Sequence, residues 1–169
     1  MERVQLQSGR EVEIRPIRAT DGPALGAAYD RLSPRSKYNR FLAPKPHLSS
    51  SEVRYLVDVD GFHHLALIAT PSDDPGAIVA VARLVRLPEE RHTAEFAVVV
   101  ADAYQRQGLA SALLVRLARA ARESGISRIR ATILAENRAA QRLMEHVPAR
   151  EISKRHNGPV KELELELAS

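Results

Sequence analysis

The chain has 169 residues, 44% hydrophobic and 27% charged, with 25 Lys and Arg against 21 Asp and Glu for a net charge of +4. It has no cysteine, which excludes a disulfide framework, a Cys-type zinc site and a thiol nucleophile, and its length suits one domain over residues 1–169. No apolar run approaches the roughly 20 residues that span a bilayer, and MERVQLQSGREVEIRP lacks a signal-peptide core, so a cytoplasmic domain is expected, with no membrane partner.

In chain order, Val4–Leu6 and Glu11–Arg15 flank the turn pair Ser8-Gly9 and predict a small hairpin. Thr20 precedes a helical stretch to about Leu32, with Ala24, Leu25, Ala28 and Leu32 at helical spacing. Ser33-Pro34 breaks it, and Arg35–Leu42 reads as a second short helix. Pro44 and Pro46 mark a loop, after which Ser49–Glu52 caps a short amphipathic segment carrying Val53, Leu56 and Val57. The period then changes. His64–Thr70, Ala77–Leu87 and Thr93–Val100 are β-rich runs separated by the turn cluster at 71–76 and the polar loop at 89–92. Leu109–Ser124 is the clearest helix, with Leu109, Leu113, Leu117 and Ala121 on one face and Gly125 after its end. Arg128–Ile133 reads as a strand and Arg138–His146 as a short helix. Arg150–Lys154 and Val160–Leu167 form a last hairpin around Asn157-Gly158.

The chemistry concentrates where the strand ending at Val100 runs through Ala101–Gln107 into that clearest helix. Backbone amides at a helix N-terminus carry partial positive charge and suit a phosphate or pyrophosphate. Gly108 removes the Cβ that would block a close approach, and Ala110 keeps the first turn narrow. The glycines of a dinucleotide fingerprint and the Lys-Ser/Thr pair of a P-loop are both missing.

Gln105-Arg106-Gln107-Gly108-Leu109-Ala110 resembles the Gln/Arg-x-x-Gly-x-Gly/Ala signature of the GNAT superfamily of acyl-CoA-dependent N-acyltransferases. Asn137-Arg-Ala-Ala140-Gln-Arg-Leu143 is similar to the second signature, Asn-x-x-Ala-x-x-Leu, and lies one helix and one strand later, as in that family. Arg15-Pro16-Ile17-Arg18 with Asp21, and the stretch from Leu32 to Phe41, resemble the bacterial protein-lysine acetyltransferase branch, of which this would be a stand-alone version.

The resemblance implies an α/β (α+β) fold, a mixed, mainly antiparallel sheet flanked by helices, with acyl-CoA between two splayed strands. It implies direct acetyl transfer from acetyl-CoA, as co-substrate, to a primary amine, with no metal. The pantetheine arm would pair with main-chain groups of Ala97, Val98, Val99 and Val100, and an N–H near Val98 would polarise the thioester carbonyl. Amides of Gln105, Arg106, Gln107, Gly108, Leu109 and Ala110 would hold the pyrophosphate. The acceptor expected from the branch is a protein lysine, such as that of an acyl-CoA synthetase.

Glu95 is a lone carboxylate opening the apolar strand Phe96–Val100, and burial there would make it a proton acceptor for the incoming ammonium group. The alternative is a carboxylate satisfied by Arg83 or Arg86. Asn137 reads equally as a CoA contact or a helix N-cap. Many members carry a Tyr general acid where this chain has Met144, and Val147-Pro148-Ala149 replaces the usual Gly-Phe. His63 and His64, adjacent on a strand, face opposite ways and cannot chelate one metal. Small-molecule amines remain as alternative acceptors, and Met144 keeps open a non-catalytic acyl-CoA-binding module. With 4% aromatic residues and no recognition motif, no nucleic-acid partner is expected.

Overall fold

The computed structural model describes residues 1–168. Eight strands form one sheet: β1 (Glu2–Gln5), β2 (Glu11–Pro16), β3 (His64–Pro71), β4 (Ala80–Arg86), β5 (Thr93–Val100), β6 (Arg128–Leu134), β7 (Ala149–Asn157) and β8 (Val160–Leu167). Their spatial order is β1-β2-β3-β4-β5-β6-β8-β7, and every neighbouring pair is antiparallel except β5 with β6. The helices are α1 (Gly22–Asp30), α2 (Pro34–Phe41), α3 (Ser50–Val57), α4 (Leu109–Glu123) and α5 (Arg138–Glu145).

Local chemistry sets most boundaries. Ser33 caps α2 by accepting a hydrogen bond from the Ser36 N–H, and Pro34 occupies the first turn, where its missing N–H costs nothing. Ser49 and Glu52 cap α3 reciprocally. Gly125 takes positive φ just beyond α4. Several predicted boundaries move, two of them by three residues. The second of the three β-rich runs starts at Ala80, because Ala77 still lies in the bend after the turn cluster, and β7 reaches from Ala149 to Asn157, well beyond Arg150–Lys154. Pairing along the whole of β8 holds the longer β7 in place, despite a bulge between Glu151 and Ser153.

The two sheet faces carry separate cores. On one, Leu109, Leu113 and Leu117 of α4 and Leu143 and Met144 of α5 pack on Ala94 and Phe96. On the other, Leu25 of α1 and Leu56 and Val57 of α3 cover Ala66, Ile68 and Val81, with Val99 packed against them. The four predicted α4 face residues are all buried. Beyond β5 the second face carries a ladder of ion pairs, among them Arg130 with Glu90 and Glu164, and Arg128 with Glu164.

Candidate active site

Strands β5 and β6 begin together and then part. Only Thr93–Glu95 pairs with Arg128–Arg130, although β5 runs to Val100 and β6 to Leu134. Strand alternation decides which main-chain groups face the gap. The Leu87 N–H donates to the Thr93 carbonyl, and the His92 carbonyl accepts from the Arg128 N–H. Odd-numbered residues of β5 therefore turn their N–H and C=O towards β4, and even-numbered ones towards β6. Val98 and Val100 lie beyond the last β6 pair and face the gap. The Val100 carbonyl accepts from Gln105 Nε2 at 3.0 Å, while Val98 has no partner for either group among the described residues. The main-chain groups of Ala97 and Val99, by the same alternation, are directed at β4.

At the end of β5 the chain forms a concave turn. Arg106 (φ 63°) and Gly108 (φ 85°) are both left-handed, which swings successive amides to one side. The N–H groups of Arg106, Gln107, Gly108, Leu109, Ala110 and Ser111 find no acceptor among the described residues. The Gln105 N–H, expected in the set, instead turns back to the Asp102 carbonyl at 3.4 Å, and Ser111 joins in its place. The β1–β2 turn braces this loop, with the Gln7 N–H on the Gln107 carbonyl and Ser8 Oγ on Gln107 Oε1. A row of unpaired amides at the positive end of a 15-residue helix is built for a multiply charged anion.

Glu95 is exposed, contrary to the expected burial, because no helix covers the second face at the mouth of the gap. Nor do the two arginines satisfy it. Arg83 is bonded to the Leu56 carbonyl and His64, and Arg86 to the carbonyls of Phe62, Arg91 and Ser124. Among the described residues the carboxylate has no partner; it stands beside the last β5–β6 pair, level with Val85 and Arg130. Asn137 caps α5, its Oδ1 accepting from the Ala140 N–H at 3.1 Å. Met144 is buried in the α4 core and offers no proton. Tyr104 lies beneath the Arg10 guanidinium, 4.6 Å away.

Two features had no separate signal in the sequence. Asp102 accepts from the Ser33 N–H and Ser36 Oγ, and Ser36 Oγ also accepts from Gln105 Nε2. These bonds tie the start of α2 to the exit of β5. On the second face Arg83 is buried and donates from Nη1 to the Leu56 carbonyl and to His64 Nε2, both within 2.9 Å. Burial, and then the Arg83 cation, pull the His64 pKa down to about 4, so the ring is the neutral acceptor of that bond. His63, its neighbour, points outward to Asp60, as strand alternation predicts.

The comparisons with known proteins agree with this geometry. The pattern of the acetyltransferase (GNAT) family matches residues 32–147. Over 140 residues the chain is 34% identical to an acetyltransferase of Pseudomonas aeruginosa, covering 82% of this chain and 74% of that one. It is 29% identical over 152 residues to the acetyltransferase Pat of Mycolicibacterium smegmatis, covering 86% of this chain but only 43% of that longer protein. Its fold superposes on the crystal structure of the GNAT domain of S. lividans PAT with a TM-score of 0.88, at 32% identity and with 98% and 96% of the two chains covered. A split strand pair, an amide-lined turn opening a long helix and these likenesses together place the chain in the acetyltransferase (GNAT) family, as an acyltransferase.

Proposed function

We propose that the chain transfers the acetyl group of acetyl-CoA directly to a primary amine, and that the acceptor is a lysine side chain of a protein such as an acyl-CoA synthetase. The observation that carries the transfer chemistry is the early end of β5–β6 pairing, which leaves Val98 with a free N–H and C=O facing the gap. An extended amide-bearing arm lying there would complete the interrupted ladder as a substitute strand. Its thioester oxygen would take the Val98 N–H, which stabilises the oxyanion as the amine adds to the carbonyl carbon. The pyrophosphate would rest on the amides of residues 106–111. The protein-lysine acceptor rests on the likeness to the Pat proteins, named for the mycobacterial and S. lividans relatives.

Glu95 is the proton acceptor in this reading, acting from the solvent side of the gap and through water. The incoming ammonium group must lose a proton before attack, and an unpaired carboxylate at the mouth of the gap is free to organise that water. With Met144 at the position of the usual acid, the thiolate leaves unassisted by a protein donor and takes its proton from solvent.

Thiol release from acetyl-CoA, measured against a panel of small amines and acyl-CoA synthetases, tests the reaction and sorts the acceptors. Turnover with proteins and not with small amines is expected. Stabilisation by CoA with no thiol release for any acceptor would instead favour a binding module. Glu95→Gln is expected to lower kcat by 10²–10⁴-fold, the usual span for a general base, and to flatten the acid limb of the pH–rate profile. An unchanged kcat and profile would remove Glu95 from the mechanism.

A further inference from the structure

The second face of the sheet holds a cavity that the transfer chemistry leaves unused. It lies under α1, α2 and α3 against β4 and β5, with about 40 Å³ for the centres of water-sized molecules. That is room for roughly three such centres. Its walls are apolar, from residues such as Leu25, Leu56, Ile78 and Val99, yet Arg40 and Arg83 both line it. Arg83 is 4% exposed and stands on the apolar strand β4. Its two protein bonds both leave from Nη1, so Nε and Nη2 find no acceptor among the described residues. Arg40 lies over the Phe41 ring at 4.4 Å, and its guanidinium makes no hydrogen bond or ion pair among the described residues.

Two cations line one apolar cavity that has no carboxylate among its walls, so their charges repel, while the free Arg83 nitrogens stay within reach of solvent and of an incoming ligand. His64 cannot supply the missing negative charge, because it is the neutral acceptor of Arg83. Tyr29, also on the cavity wall, is held in its neutral form by burial, which raises its pKa. What remains free on Arg83 is its Nε–Nη2 edge, whose two parallel N–H groups match the two oxygens of a carboxylate.

We infer that this cavity binds one carboxylate group carrying a short aliphatic stem. The oxygens sit on the Arg83 fork, Arg40 supplies the second positive charge, and the stem rests against the aliphatic wall. The volume admits an acetate- or propionate-sized group. A free short-chain acid and the carboxylate end of an acceptor present the same chemistry to this site.

The test is calorimetric titration of the full chain, without CoA, with sodium acetate and sodium propionate, using acetamide and sodium chloride at equal ionic strength as controls. Saturable binding of the carboxylates alone is expected, at least tenfold weaker in Arg83→Met and in Arg40→Met. Arg40→Met keeps the test decisive if Arg83→Met fails to fold, since among the described residues Arg40 holds no other element by a hydrogen bond. Carboxylate binding no stronger than that of the controls, or equal in the wild type and the Arg40→Met variant, overturns the inference. A second titration at saturating acetyl-CoA, with turnover measured beside it, separates the two sources. Acetate that binds without affecting turnover assigns a free-acid site, and acetate competing with the amine assigns the acceptor's own carboxylate. The first titration needs no turnover, so its failure is distinct from failure of the transferase reading.

Discussion

Proline substitution at two adjacent positions of β5 tests the direction of the main chain at the gap. In Val98→Pro the ring replaces an N–H that faces the gap and has no partner, so no ladder bond is lost. Ala97, before it, is already extended, as a residue preceding proline must be. The stability cost is therefore limited to trimming a half-buried side chain, about 1 kcal/mol, or about 2–4 °C in Tm for a chain of this length. In Val99→Pro the ring replaces an N–H directed at Val81 of β4. That removes a ladder bond and drives the ring into the neighbouring strand, at a cost of about 3 kcal/mol or more. Activity should show the reverse order of information. Val98→Pro folds but loses the oxyanion donor, which is worth about 10²–10³-fold in kcat. Thermal melting of both variants, with thiol release for Val98→Pro, reads the two effects separately. Equal destabilisation by the two prolines would refute the alternation derived for β5, and a Val98→Pro enzyme with wild-type kcat would refute the role of its N–H.

Three further outcomes follow from the same structure. Gly108→Ala should cost about 1–2 kcal/mol and lower Tm by a few degrees, because φ is +85° while the new Cβ would meet nothing closer than Gln7 at 3.6 Å; an unchanged Tm would show that the turn relaxes freely. Asp21→Asn should destabilise by about 3–5 kcal/mol in a urea melt, since Asp21 takes two hydrogen bonds from Arg15, at 2.9 and 2.8 Å, and one from the Arg18 N–H, in a pair with side chains only 10–12% exposed; a loss under 1 kcal/mol would class the pair with surface ion pairs. His64 makes stability fall on acidification: its folded pKa of about 4 lies below the ordinary 6.5, so the unfolded chain binds the extra proton and stability present above pH 6.5 is lost as pH drops towards 4. On the order of 1–2 kcal/mol is expected after allowing for solvent screening, and His64→Gln should flatten that part of the Tm-versus-pH curve; an unaltered slope would place the sensitivity elsewhere.

Local signals carried far in this chain. Hydrophobic period gave α4 its buried face, and Ser33, Ser49, Pro34 and Gly125 marked helix ends through caps and backbone preferences that act within four residues. The spacing of Gln105–Ala110 and Asn137–Leu143 located the amide-lined turn and the later helix α5, because both depend on residues close in sequence. Where the sequence misled, the deciding contact was remote. Glu95 looked buried because its strand is apolar, but exposure depends on whether a helix covers that face, and none does at the mouth of the gap. Ala97–Val100 looked equivalent as a run, while the register against β4 turns alternate residues away from the gap.

The amino-acid sequence by itself determined the order of strands and helices, the helix ends and the amide-rich turn at Gly108, since these rest on backbone conformation and short-range periodicity. Only the tertiary structure decided that β5 and β6 part after three residue pairs and that Val98 keeps its main-chain groups free. It also decided that Arg40 and Arg83 share one apolar cavity without a counter-charge. The physical reason is the same in each case: strand pairing and desolvation join residues tens of positions apart, and neither leaves a mark in the spacing of neighbours.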